Sequence, residues 1–215
     1  MRKGTLMPDF WTEQLEKGLA EMELSASPQQ QRQLLDYLAL LEKWNRAYNL
    51  TAVRDPMKMV SRQLLDSLSI HALLQGDSVL DVGSGAGLPG IPLAVLHPER
   101  RFTLLDANSK KTRFLRQAKL ELGLDNLQVE QARAERFQPP RSYDTITSRA
   151  FAALPDMLRL TRHMLAPGGC WLAMKGVVPE EELKALGREF HYEIHPLVVP
   201  AEAGQRHGIV LRPAL

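Results

Sequence analysis

The chain has 215 residues, 44% of them hydrophobic and 24% charged, with a formal net charge of +2. That length allows one sizeable core with an appendage, and the composition is globular rather than disordered. Cys170 is the single cysteine, which excludes an internal disulfide and a multi-cysteine zinc site and fits a reducing cytoplasm. There is no apolar run of about eighteen residues to span a bilayer, and the basic start Met1-Arg2-Lys3-Gly4 leads into no signal-peptide core.

Residues 1–75 read as helix. Trp11, Leu15, Leu19 and Met22 recur at helical spacing. Ser27-Pro28-Gln29-Gln30 starts a second helix with a hydroxyl cap, proline at the first helical position and glutamine three residues after the cap. Leu34, Leu38, Leu41 and Trp44 form its apolar stripe. Asp55-Pro56 starts a third helix carrying Val60, Leu64 and Leu68, which Gly76 is expected to end.

From Ser78 the pattern alternates, with strands expected at 78–82, 101–106, 127–132, 143–148 and 170–175 and helices at 89–97, 109–122 and 154–165. Such alternation implies right-handed crossovers and a mostly parallel sheet covered on both faces. A helix near 179–187 and strands near 190–198 and 207–212 complete an α/β fold of about seven strands. The expected organisation is a helical extension (1–75) packed on a Rossmann-like core (76–215).

The sharpest motif is Asp81-Val82-Gly83-Ser84-Gly85-Ala86-Gly87-Leu88-Pro89-Gly90, directly after the first strand. Its glycines permit backbone conformations and close ligand approach that a Cβ would block. Open α/β sheets bind ligands at this strand end. The next strand ends in Asp106, 23 residues past Gly83, where a carboxylate can accept two hydrogen bonds from a ribose diol.

Gly85 to Gly90 also matches the dinucleotide fingerprint G-x-G-x-x-G, so a nicotinamide oxidoreductase is the competing reading. Asp81 favours S-adenosylmethionine, because an acid beside the first glycine suits a cationic amino-acid end and opposes a pyrophosphate. A Walker-type phosphate loop is excluded, since no Gly-Lys-Ser/Thr follows. Leu165-Ala166-Pro167-Gly168-Gly169, a turn into the fifth strand, is typical of class I methyltransferases. Ser148-Arg149-Ala150-Phe151 stands where exocyclic-amine methyltransferases carry an Asn/Asp-Pro-Pro-aromatic loop, and Cys170 reads as packing rather than a nucleophile.

Trp44 through Thr51, Arg62-Gln63-Leu64-Leu65-Asp66-Ser67 and Asp81 through Pro92 resemble the RsmG family, also called glucose-inhibited division protein B. So do Phe114-Leu115-Arg116, Ser148-Arg149-Ala150-Phe151-Ala152 and Lys175-Gly176, and the resemblance covers roughly residues 30–212. It implies a class I, S-adenosylmethionine-dependent methyltransferase acting on a guanine N7 in bacterial small-subunit (16S) ribosomal RNA. It also implies cofactor contacts at Gly83, Leu88, Ala134, Glu135 and Arg149. With Asp81, Gly85, Gly87 and Asp106 these complete the expected cofactor site, while Arg149 and Lys175 are the expected catalytic residues. Another RNA nucleotide is the alternative target.

Lys110, Lys111, Arg113, Arg116 and Lys119 share a stretch with no acidic residue, readable as a solvated face or a phosphate-binding surface. Arg46 and Arg54 are candidates to frame the RNA site, although Asn45 and Asn49 read more simply as holding the turn after the second helix. His71 and His163 read as structural, and six scattered histidines offer no metal-ligand spacing. A monomer without metal or membrane association, working on ribosomal RNA or the small subunit, is expected.

Overall fold

A computed structural model describes residues 8–214; the basic start Met1–Gly4 lies outside them. Helix α1 (Asp9–Glu21) buries Trp11, Leu15 and Leu19. Helix α2 (Pro28–Tyr48) begins with the expected capping box, Ser27 and Gln30 each satisfying the other's backbone N–H. Glutamines on α2 then cap two other helices. Gln30 Nε2 donates to the carbonyls of Val95 and Leu96, and Gln33 Nε2 donates to Leu122. Helix C-termini leave carbonyls without partners, so these bonds fix α2 across the ends of α5 (Gly90–Leu96) and α6 (Ser109–Leu122).

The third helix departs from the expected single α-helix. It runs as α3 (Pro56–Met59), a π-helical turn (Val60–Leu65) and α4 (Asp66–Leu68), and it stops at Leu68 rather than Gly76. Apolar periodicity at 60, 64 and 68 does not reveal a one-residue widening of the turn.

Seven strands form one sheet in the order β3-β2-β1-β4-β5-β7-β6. They are β1 (Ser78–Val82), β2 (Arg101–Asp106), β3 (Leu127–Gln131), β4 (Tyr143–Arg149), β5 (Leu165–Lys175), β6 (Phe190–Pro196) and β7 (His207–Pro213). β1 to β5 pair in parallel, while β7 runs antiparallel between β5 and β6. The mostly parallel seven-stranded sheet expected from the alternation is therefore present.

Strand side chains alternate between two cores. Val79, Phe102, Leu104, Leu172 and Val210 join one with α2, α5 and α6. Leu80, Val82, Leu105, Ile146, Trp171 and Leu211 join the other, under α7 (Leu154–Thr161) and α8 (Glu180–Lys184).

Three boundaries differ from expectation. β5 begins at Leu165 rather than 170, because Leu165 already pairs with Tyr143 before the register shifts at Thr145–Cys170. The Pro167-Gly168-Gly169 segment is thus a bulge within the strand, not a turn before it. α7 gives way to a 3-10 turn at Arg162–Met164, and α8 spans five residues instead of 179–187.

Candidate active site

Chain order reverses between β1 and β4, which makes their carboxyl ends the crevice where a doubly wound sheet takes ligands. The glycine loop folds over this crevice. The N–H groups of Gly83 and Ser84 both donate to Leu105 O, at 2.8 and 3.2 Å, tying the loop to the end of β2. Gly83 has φ +68°, and a Cβ there would lie 2.5 Å from the Phe151 ring. Gly87, at φ +89°, faces Ile91 and Leu115 instead, so its lack of a side chain serves helix packing.

A cavity of about 410 Å³ opens beside the loop, lined among others by Gly83, Asp106, Lys111, Ala134, Glu135 and Phe151. Asp106 is 8% exposed. One carboxylate oxygen accepts the Gly85 N–H at 2.9 Å and the other accepts the Asn108 N–H at 2.8 Å. Each oxygen retains a lone pair for a ligand hydroxyl. Lys111 Nζ lies 3.8 Å from the same carboxylate, so this half-buried lysine reaches the cavity wall.

Asp81 sits beneath the loop at 0% exposure. Its Oδ2 accepts the Gly90 N–H at 3.0 Å, and its buried Oδ1 has no hydrogen-bond partner among the described residues. Burial pushes its carboxyl up to about 7, against the lowering effects of the Gly90 bond, Arg149 and Ser84.

Arg149 ends β4 and lines a second cavity of about 550 Å³ with Arg62, Gln63, Asp66, Lys175 and His207 among its walls. Ala150 borders both cavities and takes the left-handed conformation at φ +57°, which is uncommon for a residue with a Cβ. The guanidinium of Arg149 donates to Arg62 O and Gln63 Oε1, both at 3.0 Å, and to Asp66 Oδ2 at 3.1 Å. Asp66 Oδ1 accepts from Arg206 Nε at 3.1 Å. Lys175 is held by Glu182 at 3.0 Å.

The residues singled out from sequence are thus distributed over several places. Gly83, Asp106, Ala134 and Glu135 line the first cavity, and Arg149 and Lys175 the second. Asp81, Gly85, Gly87 and Leu88 line neither and shape the loop from within or below. Lys110, Arg113 and Arg116 are exposed on α6, whose Phe114, Leu115 and Ala118 are buried as expected. Arg46 pairs with Glu42 at 3.0 Å and Arg54 donates to Asn49 at 2.7 Å, both beside a smaller cavity next to α2. Asn45 holds the turn as expected, accepting from Thr51 N–H at 2.9 Å, whereas Asn49 closes α2 through its left-handed backbone and turns its side chain to Arg54.

Sequence reasoning assigned no role to Gln63, Asp66, Phe151, Arg206 or His207. The motif Arg62–Ser67 flagged the first two by resemblance, and Ser148–Ala152 the third. Nothing local marks Arg206, which meets Asp66 across 140 residues of sequence.

Cys170 is fully buried, and burial pushes its thiol up, so it offers no thiolate. Among the described residues no group of three or more His, Cys, Asp or Glu side chains could hold a metal ion. None of the described helices is long and apolar enough to cross a membrane.

A family model described as rRNA small subunit methyltransferase G matches residues 30–209. The chain belongs to this family. The ribosomal RNA small subunit methyltransferase G of Pseudomonas aeruginosa is 57% identical over 202 residues, covering 93% of this chain and 94% of that protein. The enzyme of the same name from Marinobacter nauticus is 56% identical over 205 residues, covering 95% and 96%. Solved structures share the fold at low identity. Glycopeptide N-methyltransferase MtfA matches with a TM-score of 0.60 at 13% identity, covering 71% of this chain and 92% of that one. DhpI in its SAH complex matches with a TM-score of 0.53 at 19% identity, covering 92% and 98%.

Proposed function

We propose that this chain transfers the methyl group of S-adenosylmethionine to N7 of a guanine in bacterial 16S ribosomal RNA, in the cytoplasm and as a monomer. The observation that carries this reading is the pair of adjoining cavities: one with a strand-end carboxylate under a glycine loop, one walled by arginine and lysine, meeting at Ala150. Family membership supports the substrate.

The residues present fit the cofactor. Asp106 has lone pairs for the ribose hydroxyls, Gly83 brings backbone without a side chain to the cavity wall, and Asp81 keeps an unpartnered buried oxygen that suits a cationic ammonium group. Ala134 and Glu135 complete the wall. Bound there, S-adenosylmethionine supplies an electrophilic methyl group on a sulfonium.

Guanine N7 carries an in-plane lone pair and no proton near neutral pH, so it attacks without a general base. The protein's task is alignment, which can supply on the order of 7–11 kcal/mol of a barrier. Arg149 and Lys175 serve by donating to the guanine edge, where O6 beside N7 accepts such bonds. Lys110, Arg113 and Arg116 on α6, with Arg46 and Arg54, contact phosphates and hold the RNA.

The test uses small subunits from cells lacking the enzyme, incubated with chain and methyl-labelled cofactor, followed by RNA digestion to nucleosides. Label in N7-methylguanosine supports the reading. Label in a different nucleoside, or none, overturns it.

A further inference from the structure

We propose that Asp66 is the positioning residue of the second cavity, its carboxylate fixing Arg149 and Arg206 as one preorganised pair against the substrate base. The inference rests on the reading that this cavity takes the guanine.

The geometry behind it is convergent. Asp66 is 7% exposed and uses one oxygen for each arginine, at 3.1 Å in both cases. The two arginines come from the end of β4 and from the segment before β7, so a single carboxylate links two edges of the cavity. Arg149 Nη1 also donates to Arg62 O, and its Nη2 to Gln63 Oε1. Gln63 is itself oriented by donating to Thr51 Oγ1 at 2.7 Å. Glu202 completes the arrangement from the far side, bonding Ser61 Oγ at 2.8 Å and Arg62 Nε at 3.2 Å and lying 3.8 Å from Arg206 Nη2.

One helical stretch presents Arg62, Gln63 and Asp66 together. Arg62 and Gln63 lie within Val60–Leu65 and Asp66 follows immediately. At 3.6 residues per turn, positions 62, 63 and 66 of a helix fall within about 100° of one another and so share one face. A π-turn lies within this stretch, and π-turns recur at functional sites. Of the five N–H groups of Arg149, three bonds are made within the network, leaving the Nε–H and one Nη2 N–H without a partner among the described residues. Arg206 likewise keeps its Nη2 N–H groups out of hydrogen bonds.

Arg149 and Arg206 keep 26% and 30% of their side-chain surface exposed, so these donors are open to an incoming ligand. Buried ion pairs are in any case weak stabilisers compared with apolar packing. Holding flexible arginines in place beforehand lowers the ordering cost at the moment of reaction.

The experiment compares wild type, Asp66→Asn, Arg206→Lys and the double variant in single-turnover methyl transfer to small subunits with cofactor saturating. Asp66→Asn is expected to slow the chemical step by about 10- to 100-fold, as a displaced positioning group does. Cofactor affinity should stay within about twofold of wild type. The double variant should be no slower than the worse single, because both act through one unit. Additive losses, or a wild-type rate in Asp66→Asn, overturn the proposal. Should Asp66→Asn fail to fold, Asp66→Glu, which keeps the charge but displaces the carboxylate by one methylene, takes its place with the same expectations.

Side-chain NMR reads the inference without any methyl transfer. Arg149 and Arg206 should show slow rotation about Nε–Cζ in wild type and fast rotation in Asp66→Asn; fast rotation in both overturns it. If wild type labels no ribosomal RNA, the proposed function fails while these signals still decide the role of Asp66.

Discussion

The Tyr37 hydroxyl on α2 donates to the Ala86 carbonyl in the glycine loop at 2.8 Å, with Tyr37 fully buried. This bond joins the N-terminal helical segment to the cofactor side of the site, so the segment bears on loop geometry as well as on the core. Tyr37→Phe leaves the carbonyl of Ala86 without its partner, a loss of about 1–3 kcal/mol. At about 2–4 °C per kcal/mol for a chain of this size, the melting temperature should fall by several degrees. Cofactor affinity should weaken several-fold. An unchanged melting curve would show that the loop holds itself.

Asp106 is expected to grip the cofactor ribose. Hydrogen bonds to a charged group contribute about 1.5–3 kcal/mol, so Asp106→Ala should weaken S-adenosylmethionine binding tenfold or more by calorimetry. Because Asp106 also accepts the Gly85 and Asn108 N–H groups, the loss should come with a lower melting temperature. Unaltered affinity in a folded variant would place the ribose elsewhere.

The basic stretch on α6 is expected to divide into two functions. Lys111 lies 3.8 Å from Asp106 at the cofactor cavity, whereas Lys110, Arg113 and Arg116 are exposed. Lys111→Met should therefore change cofactor affinity. Neutralising Lys110, Arg113 and Arg116 together should leave it intact and reduce the salt slope of RNA binding by about one for each phosphate left without its cation. An unchanged slope across the salt range would make this helix a solvated face.

Asp81 is expected to make the site sensitive to pH. Its folded value of about 7 lies above the ordinary 3.8, so between those values the native state keeps a proton that the unfolded chain has lost. Stability from this group therefore falls as pH rises from about 4 to about 7. A cationic ammonium near Oδ1 favours the ionised form, so cofactor binding should release a proton and tighten as pH rises towards 7. Calorimetry near pH 6.5 in buffers of different ionisation heat should show this release in wild type and lose it in Asp81→Asn. Identical heats in all buffers for wild type would contradict it.

The sequence carried the local features well. The Ser27 cap, the alternating strands, the buried face of α6 and the strand-end position of Asp106 each follow from periodicity or from one motif. What it concealed was convergence. Asp66 meets Arg149 across 83 residues and Arg206 across 140, and no spacing rule reaches that far. The π-turn was hidden because its apolar residues keep an α-like rhythm. Lys111 looked identical to its neighbours, since direction into a cavity depends on the tertiary placement of α6. Leu165 joined β5 early because pairing with Tyr143 outweighs the turn preference of Pro167-Gly168-Gly169.

The most direct measurement of base-free methyl transfer is the pH dependence of the single-turnover rate with cofactor and subunits saturating. His207 lines the second cavity, its Nδ1 lying 2.8 Å from Gly176 O, and is the imidazole placed to compete for a base role there. If alignment by Arg149 and Lys175 suffices, the rate should be nearly flat between about pH 6.5 and 8.5, where a tuned base would titrate. Lys175→Met should lower the whole profile without tilting it and leave cofactor binding near normal. A tenfold rise per pH unit across that window, removed by His207→Gln or by any other single replacement, would show a general base at work.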